Sequence, residues 1–358
     1  MKKKINVVIA GIQGYVGKSL ANLVMVHPYL NLAAVVERKS ADMLYQEVPM
    51  LAEHQVPVFL IDKIDEKAFS FDILLLATPS EVSMKLVAKL SKHKGKIIDL
   101  SGAFRLPEEE FVEWYGMPHT AAHLLQKSCY ALSPWWTKDS NQLQQDVLLA
   151  NPGCYATCAL MSLIPLLKEN VIQTAPIIID AKSGVSGAGK KVKQELMFGE
   201  VANNLFPYKV GKHQHIPEIN NALAKFTKKI CHVILTTYLL PIFQGISMTI
   251  YADAEKNFSN DEEVLCFIKK AYEKNYENYS LVQFGEIKNS EMPGEKFLLS
   301  IKNVVGTPKV HIAYYVNNKK VILFACIDNL LKGASSQAIE NINTLYGFPI
   351  KTGLEGLL

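Results

Sequence analysis

The sequence predicts an α/β protein of two domains: a doubly wound, parallel-sheet domain first, then an α+β domain with a mixed, largely antiparallel sheet. Three observations predict it. A length of 358 residues suggests about two domains. Up to about residue 150, apolar β-branched runs alternate with helical stretches, which argues for βαβ units. Beyond that point strand-like runs follow one another with fewer helices between them, as antiparallel and mixed sheets require.

Each element has its own signal. Lys4–Ala10 is an apolar run ending at Gly11 and reads as a buried strand. A helix over Lys18–Val26 follows, stopping near His27-Pro28. Leu32–Val36, Phe71–Ala77 and Lys96–Leu100 read as further strands, with a helix over Glu81–Ser91 between the last two. In the second half Tyr155–Leu167 reads as a helix that Pro165 ends or kinks. Strands are expected at Pro176–Ala181, Val233–Leu240, Gly245–Tyr251, Phe297–Val305, His311–Val316 and Lys320–Ala325, and a closing helix at Gly333–Tyr346.

Composition excludes several classes. With 49% hydrophobic and 20% charged residues the chain is not disordered. A net charge of +4 builds neither a nucleic-acid stripe nor a polybasic membrane anchor. The first apolar run is too short for a signal peptide or a membrane span. Six cysteines with no C-x2-C pair argue against a disulfide framework or a bound metal, and for reduced thiols in the cytoplasm.

Gly11-x-x-Gly14-x-x-Gly17 lies between the first strand and the first helix. Glycines there let the backbone approach a pyrophosphate, whose charge the helix N-terminus favours. Placed on strand–turn–helix, the motif, with Tyr15 and Val16, makes the first domain a Rossmann-type dinucleotide site. At the end of the second strand, Glu37 suits a ribose hydroxyl, as for NAD, while Arg38, Lys39 and Ser40 suit a 2′-phosphate, as for NADP. Thr78-Pro79-Ser80 ends the third strand at the same sheet edge and is expected to line the groove.

Asn151-Pro152-Gly153-Cys154-Tyr155 carries the chemistry. A Pro-Gly turn puts Cys154 at the start of an apolar helix, where thiolate and oxyanion are both favoured. Cys158, four residues on, reads as core. His213-Gln214-His215-Ile216-Pro217-Glu218 supplies a candidate base and a carboxylate to orient it. The two histidines are expected on opposite sides of an extended segment. Ser183–Lys191 is a Gly/Ser loop ending in two lysines, suited to a carboxylate or phosphate.

Together these segments resemble the N-acetyl-γ-glutamyl-phosphate reductases, relatives of aspartate-semialdehyde dehydrogenase. The matching stretches are GIQGYVG (11–17), DLSGAFR (99–105), NPGCYAT (151–157), SGVSGAGKK (183–191), HQHIPEI (213–219), KNVVG (302–306) and DNLLKGASSQA (328–338). The resemblance implies NADPH-dependent reduction of an acyl phosphate to a semialdehyde through a Cys154 thioester, in arginine biosynthesis. It implies His215 as acid/base, with His213 the alternate, and substrate contacts from Arg105, Ser183, Lys190, His213 and Glu218. It adds Ser101, Gly187 and Asn329 to the cofactor groove and returns the C-terminal helix to the first domain. The expected domains are then 1–153 with 326–358, and 154–325. A homodimer or homotetramer is implied, with no nucleic-acid or membrane partner. Ala156, Gln214 and Gln244 depart from the pattern, which usually has Pro, Arg and Arg there. Lys190 stands for a usual Arg. The two glutamines remove cations expected beside an anionic substrate.

Overall fold

A computed structural model describes residues 4–64, 70–137, 148–288 and 299–358. It divides into two units, Met1–Gly153 with Ala334–Gly356, and Cys154–Gly333 with Leu357–Leu358.

The first unit is built on β1 (Ile5–Ala10), β2 (Leu30–Glu37), β3 (Val58–Leu60), β4 (Ile73–Leu76), β5 (Lys96–Asp99), β6 (Ser128–Tyr130) and β7 (Leu148–Ala150). Their order is β3-β2-β1-β4-β5-β7-β6, and every ladder is parallel. All four residues of β4 and the last four of β1 are buried, as strands covered on both faces must be. The order reverses at β1 and β4, and such a switch point opens a crevice at the carboxyl ends of the strands. The helices are α1 (Tyr15–Val26), α2 (Ala41–Glu47), α3 (Pro49–Glu53), α4 (Ser80–Lys89) and α5 (Glu108–Tyr115). The four long apolar runs of the sequence are β1, β2, β4 and β5. The three-residue strands β3, β6 and β7 are too short to print a pattern.

In the second unit α6 (Cys154–Lys168) is followed by β8 (Ile172–Gly184), α7 (Phe198–Val201), β9 (Phe206–Pro207) and α8 (His215–Thr227). Then come β10 (Val233–Leu240), β11 (Ile246–Ala254), α9 (Asp261–Tyr276), β12 (Val282–Glu286), β13 (Val310–Asn317) and β14 (Lys320–Ile327). The sheet order is β12-β13-β14-β11-β8-β10-β9. The β8–β10 and β12–β13 pairs are parallel and the other ladders antiparallel. On β11 the residues Ile246, Met248, Ile250, Ala252 and Ala254 are buried in strict alternation. Helix α6 packs on β8, β11, β13 and β14, and α8 and α9 pack against it. Every residue of α6 from Tyr155 to Leu167 is buried, as a helix apolar all round requires. Pro165 does not end it: the helix runs on to Lys168 with Pro165 in its last turn.

Three expectations need correction. No strand covers Phe297–Val305: residues 297–298 lie outside the described residues, and Ile301–Asn303 form a 3-10 turn whose start is capped by the Ser300 hydroxyl. The closing helix does not start at Gly333. Leu331–Ser335 form a π-helical turn, and α10 (Ser336–Tyr346) follows, packing on α1. The chain returns to the first unit at Ala334 rather than at 326. The reason is that β14 extends to Ile327 and that Asp328 and Asn329 are hydrogen-bonded within the second unit.

Candidate active site

In the first unit the three motif glycines do different work. Gly11 has φ +86, and a Cβ there would lie 2.4 Å from the Ala77 carbonyl oxygen. A Cβ on Gly17 would lie 2.1 Å from the Gly11 oxygen. Packing alone demands both. Gly14, the N-cap of α1, has φ −69, and its Cβ would make only ordinary contact, 3.5 Å from Gly11. The protein does not need that space, which a ligand can use. Tyr15 and Val16 open α1, whose first turn holds no acidic side chain, so its positive end is available to an anion. The donor set and the open cradle at Gly14 fit a dinucleotide pyrophosphate.

Thr78 and Pro79 lie at the end of β4, the Thr78 methyl 3.1 Å from where a Gly11 Cβ would be. The buried Glu37 accepts a hydrogen bond from the Gln13 amide at 3.2 Å. Burial pushes its carboxyl up, against the opposing pull of the Gln13, Arg38 and Ile12 amides. Glu37 thus braces the glycine loop. Arg38 is exposed beside it, and Lys39 pairs with Glu47. After β5, the Ser101 hydroxyl donates to Asp99 at 2.7 Å and accepts from the Ala103 amide at 3.1 Å. Arg105 donates from Nε to the Asn151 carbonyl and from a terminal nitrogen to the Leu100 carbonyl, both at 2.8 Å. Those donors hold backbone.

In the second unit Cys154 is the first residue of α6 and is partly exposed. The first-turn N–H groups of a helix have no intrahelical acceptor and can serve an oxyanion. Cys158 is fully buried, and burial pushes its thiol well up. The Tyr155 ring meets His213 and His215 edge-on, with centroids 5.4 and 5.8 Å away. Its hydroxyl bonds that of Tyr208 at 2.9 Å.

The histidines do not lie on opposite sides of an extended segment. Gln214 is helical (φ −59, ψ −16) and His215 opens α8, so both rings fall on one side, 4.6 Å apart. The His213 Nδ1 accepts from the His215 amide at 3.2 Å. Burial above all, then His215 and Lys209, push the His213 pKa down to about 2, with Glu218 opposing. A ring held neutral has no proton to give near pH 7. His215 instead has the buried Glu218 carboxylate 3.8 Å from its Nε2, one helical turn on.

The DNLLKGASSQA stretch opens with a turn that is hydrogen-bonded throughout. The fully buried Asp328 accepts from the amides of Leu330 (2.8 Å), Leu331 (3.1 Å) and Gly306 (2.8 Å) and from Gln244 Nε2 (2.8 Å). Asn329 accepts from the Gly245 amide at 2.6 Å and donates to Ser186 at 3.0 Å. A Cβ on Gly187 would lie 3.3 Å from the Ser183 hydroxyl and 3.8 Å from the Asn329 amide nitrogen, so these three residues are brought together. The Ser183 hydroxyl itself donates to the Gly184 carbonyl. Lys190 and Lys191 are exposed at the end of that loop. Tyr208 and Lys209 carry no motif of their own, and Asp328, although it opens the DNLLKGASSQA stretch, was not singled out.

Comparison with known proteins agrees with both units. A family described as semialdehyde dehydrogenase, NAD binding domain, matches residues 6–143. One described as semialdehyde dehydrogenase, dimerisation domain, matches residues 154–329. Aspartate semialdehyde dehydrogenase II of Vibrio cholerae, solved with ASA, shares the fold with a TM-score of 0.69 at 16% identity, over 97% of this chain and 99% of that one. The class is therefore a semialdehyde dehydrogenase, an oxidoreductase with a nicotinamide-binding domain. A protein named N-acetyl-gamma-glutamyl-phosphate reductase from Vesicomyosocius okutanii is 36% identical over 99% of both chains. One of the same name from Bacillus mycoides is 36% identical over 98% of both. The chain belongs to the N-acetyl-γ-glutamyl-phosphate reductase family.

Proposed function

We propose that this chain reduces N-acetyl-L-glutamyl 5-phosphate to N-acetyl-L-glutamate 5-semialdehyde with release of phosphate, using NADPH, in arginine biosynthesis. The observation that carries the reading is Cys154 at the start of α6, with the next residue, Tyr155, in ring contact with His213 and His215 and Glu218 behind His215, in a chain related along its whole length to proteins of that name.

In this reading His215 takes the Cys154 proton, and the thiolate attacks the acyl carbon. The carbon–oxygen bond to phosphate breaks, and His215 passes the proton to the departing phosphate. Cys154 is left as a thioester. A bound nicotinamide supplies a hydride to that carbonyl. The α6 N-terminus holds the resulting alkoxide, the carbon–sulfur bond breaks, and aldehyde and thiolate are released. A solvent proton, passed by His215, resets the thiol. Glu218 orients His215, and the neutral His213 positions it from the other side. Gly11, Gly14, Gly17, Thr78 and Pro79 frame the cofactor, with Ser101 shaping the turn beside them, and Arg38 supports NADPH over NADH. Gly187 and Asn329 are assigned to the cofactor, and Ser183, Lys190 and Arg105 to the substrate, as the family resemblance implies. The cytoplasm keeps such a thiol reduced.

Association as a homodimer or homotetramer fits the same reading. One row of apolar residues, Ile234, Ile178, Tyr251, Ile322 and Tyr315, crosses five strands of the second sheet in direct register. Four of them are exposed: Ile178, Ile234, Tyr251 and Tyr315.

The test is the reverse reaction with phosphate and NADP, comparing N-acetylglutamate semialdehyde with aspartate semialdehyde. Activity on the first, lost in Cys154→Ala with nucleotide binding kept, is the expected result. Preference for aspartate semialdehyde reassigns the substrate to another acyl phosphate. Nucleotide binding with no turnover on either leaves a non-catalytic sensor.

A further inference from the structure

We infer that Lys209 is the cation that draws the anionic end of the substrate toward Cys154, and that Gln214 aims it. The inference rests on the acyl-phosphate reading above and names the residue that selects for charge.

The local fold places Lys209 with care. Tyr208, just before it, is fixed to β10 twice: its amide donates to the Thr237 carbonyl at 3.0 Å, and its carbonyl accepts from the Thr237 hydroxyl at 2.6 Å. The Tyr208 hydroxyl reaches Tyr155, the residue after the nucleophile, at 2.9 Å. Burial, and after it the nearby Cys154, push that hydroxyl up, while its bond with Tyr155 opposes. The next residue, Lys209, takes φ +48, a left-handed conformation seldom used by residues with a side chain. The Lys212 amide donates to the Lys209 carbonyl at 3.0 Å and closes the turn. The chain therefore doubles back, and the Lys209 ammonium donates to Gln214 Oε1 at 2.5 Å, between the two histidines in sequence.

The partner's chemistry matters. A carboxylate at 214 would cancel the lysine charge. An amide oxygen holds the ammonium in place and leaves the charge intact. Several other lysines of this unit pair with a carboxylate: Lys182 with Asp180, Lys320 with Asp253, Lys274 with Glu169 and Lys269 with Glu273. Among the described residues no carboxylate pairs with Lys209. The groups that face it are the Gln214 amide, the neutral His213 ring and Lys193. Burial first, and Lys193 second, lower the Lys209 pKa. An exposed cation held by a neutral hydrogen-bond partner keeps its full charge and is open to an anion. The ligand chemistry is a phosphate or carboxylate group presented with its carbonyl at Cys154.

Alkylation of Cys154 reads this charge without requiring the reaction. Iodoacetate and iodoacetamide share a leaving group and differ by one negative charge. Their rates at Cys154, followed by peptide mass, are measured in the unmodified chain, in Lys209→Gln and in Lys209→Arg. The iodoacetate-to-iodoacetamide ratio is expected to fall about fivefold in Lys209→Gln, to recover in Lys209→Arg, and to fall in the unmodified chain at 1 M salt. A ratio unchanged by Lys209→Gln, or equal losses with both reagents, overturns the proposal, because a merely structural role slows both alike. Protection from iodoacetamide by inorganic phosphate and by N-acetylglutamate then separates the sources. The protectant whose effect Lys209→Gln abolishes identifies the group that Lys209 holds, and loss of neither overturns the proposal. A chain that keeps the charge ratio yet fails the reverse assay would refute the acyl-phosphate reading and not the cation.

Discussion

Gly333 lies directly against Cys154: a Cβ at 333 would come 2.7 Å from the Cys154 Cβ and 3.2 Å from its Cα. The Gly333 amide is tied to the Asp328 carbonyl at 2.9 Å, so this contact is held from behind by a residue whose own carboxylate accepts four hydrogen bonds. Gly333→Ala must therefore move the nucleophile. A misplacement of about 1 Å costs roughly a hundredfold in rate. Steady-state kinetics should show kcat down by about that factor, with nucleotide affinity within twofold. An unchanged kcat means the contact is not set by this glycine.

Gly14 separates a ligand's requirement from the fold's. Its Cβ has room in the protein, whereas those of Gly11 and Gly17 do not. Gly14→Ala is expected to keep the melting temperature and to lose about tenfold or more in nucleotide affinity, since about 1.4 kcal/mol is tenfold. Gly17→Ala is expected to lower the melting temperature as well. Calorimetry beside a fluorescence titration decides; equal nucleotide affinity in Gly14→Ala and the unmodified chain would remove this loop from the cofactor site.

His213 couples stability to pH. Its pKa is near 2 when folded and ordinarily 6.5. Below about pH 6.5 the unfolded chain binds a proton that the folded chain refuses, so stability falls as pH falls, by up to about 1.4 kcal/mol per unit. Above pH 6.5 this contribution is fully present. His213→Asn should flatten the decline in melting temperature between pH 7 and pH 5. Parallel curves for variant and parent would show that His213 does not titrate this way.

Gln244 was expected beside the substrate, and an arginine there was expected to tighten binding. The structure turns its amide onto Asp328. An arginine at 244 meets that carboxylate first. Gln244→Arg is therefore expected to leave the KM for the acyl phosphate within twofold. A several-fold drop in KM would place the side chain at the substrate after all.

What the sequence disclosed follows physical lines. Ile5–Ala10 and Ile73–Leu76 could be read because a strand buried on both faces must be apolar throughout. Cys154 could be read because Pro152 and Gly153 form a local turn ahead of an apolar helix. The placement of His213 and His215 could not, since it depends on the backbone of the single residue Gln214. Lys209 was illegible for a related reason. Its partner lies five residues away across a turn that exists only after Tyr208 has docked on Thr237. The bonds of Arg105 to two backbone carbonyls could not be read either, because they depend on where the fold brings Leu100 and Asn151.

The burial of α6 on every side has a consequence for inheritance. Between Tyr155 and Leu167 no position faces water, so nearly any lesion in the helix leaves a cavity or a clash. Such lesions cost about 1–5 kcal/mol, a large share of a typical fold's margin. Defects arising there should be conditional, tolerated in the cold and lethal in the heat for a host that depends on this enzyme. A defect at Cys154, the partly exposed residue at the head of the helix, should be equally complete at every temperature. The helix that presents the nucleophile would thus separate heat-sensitive alleles from absolute ones at a single residue boundary.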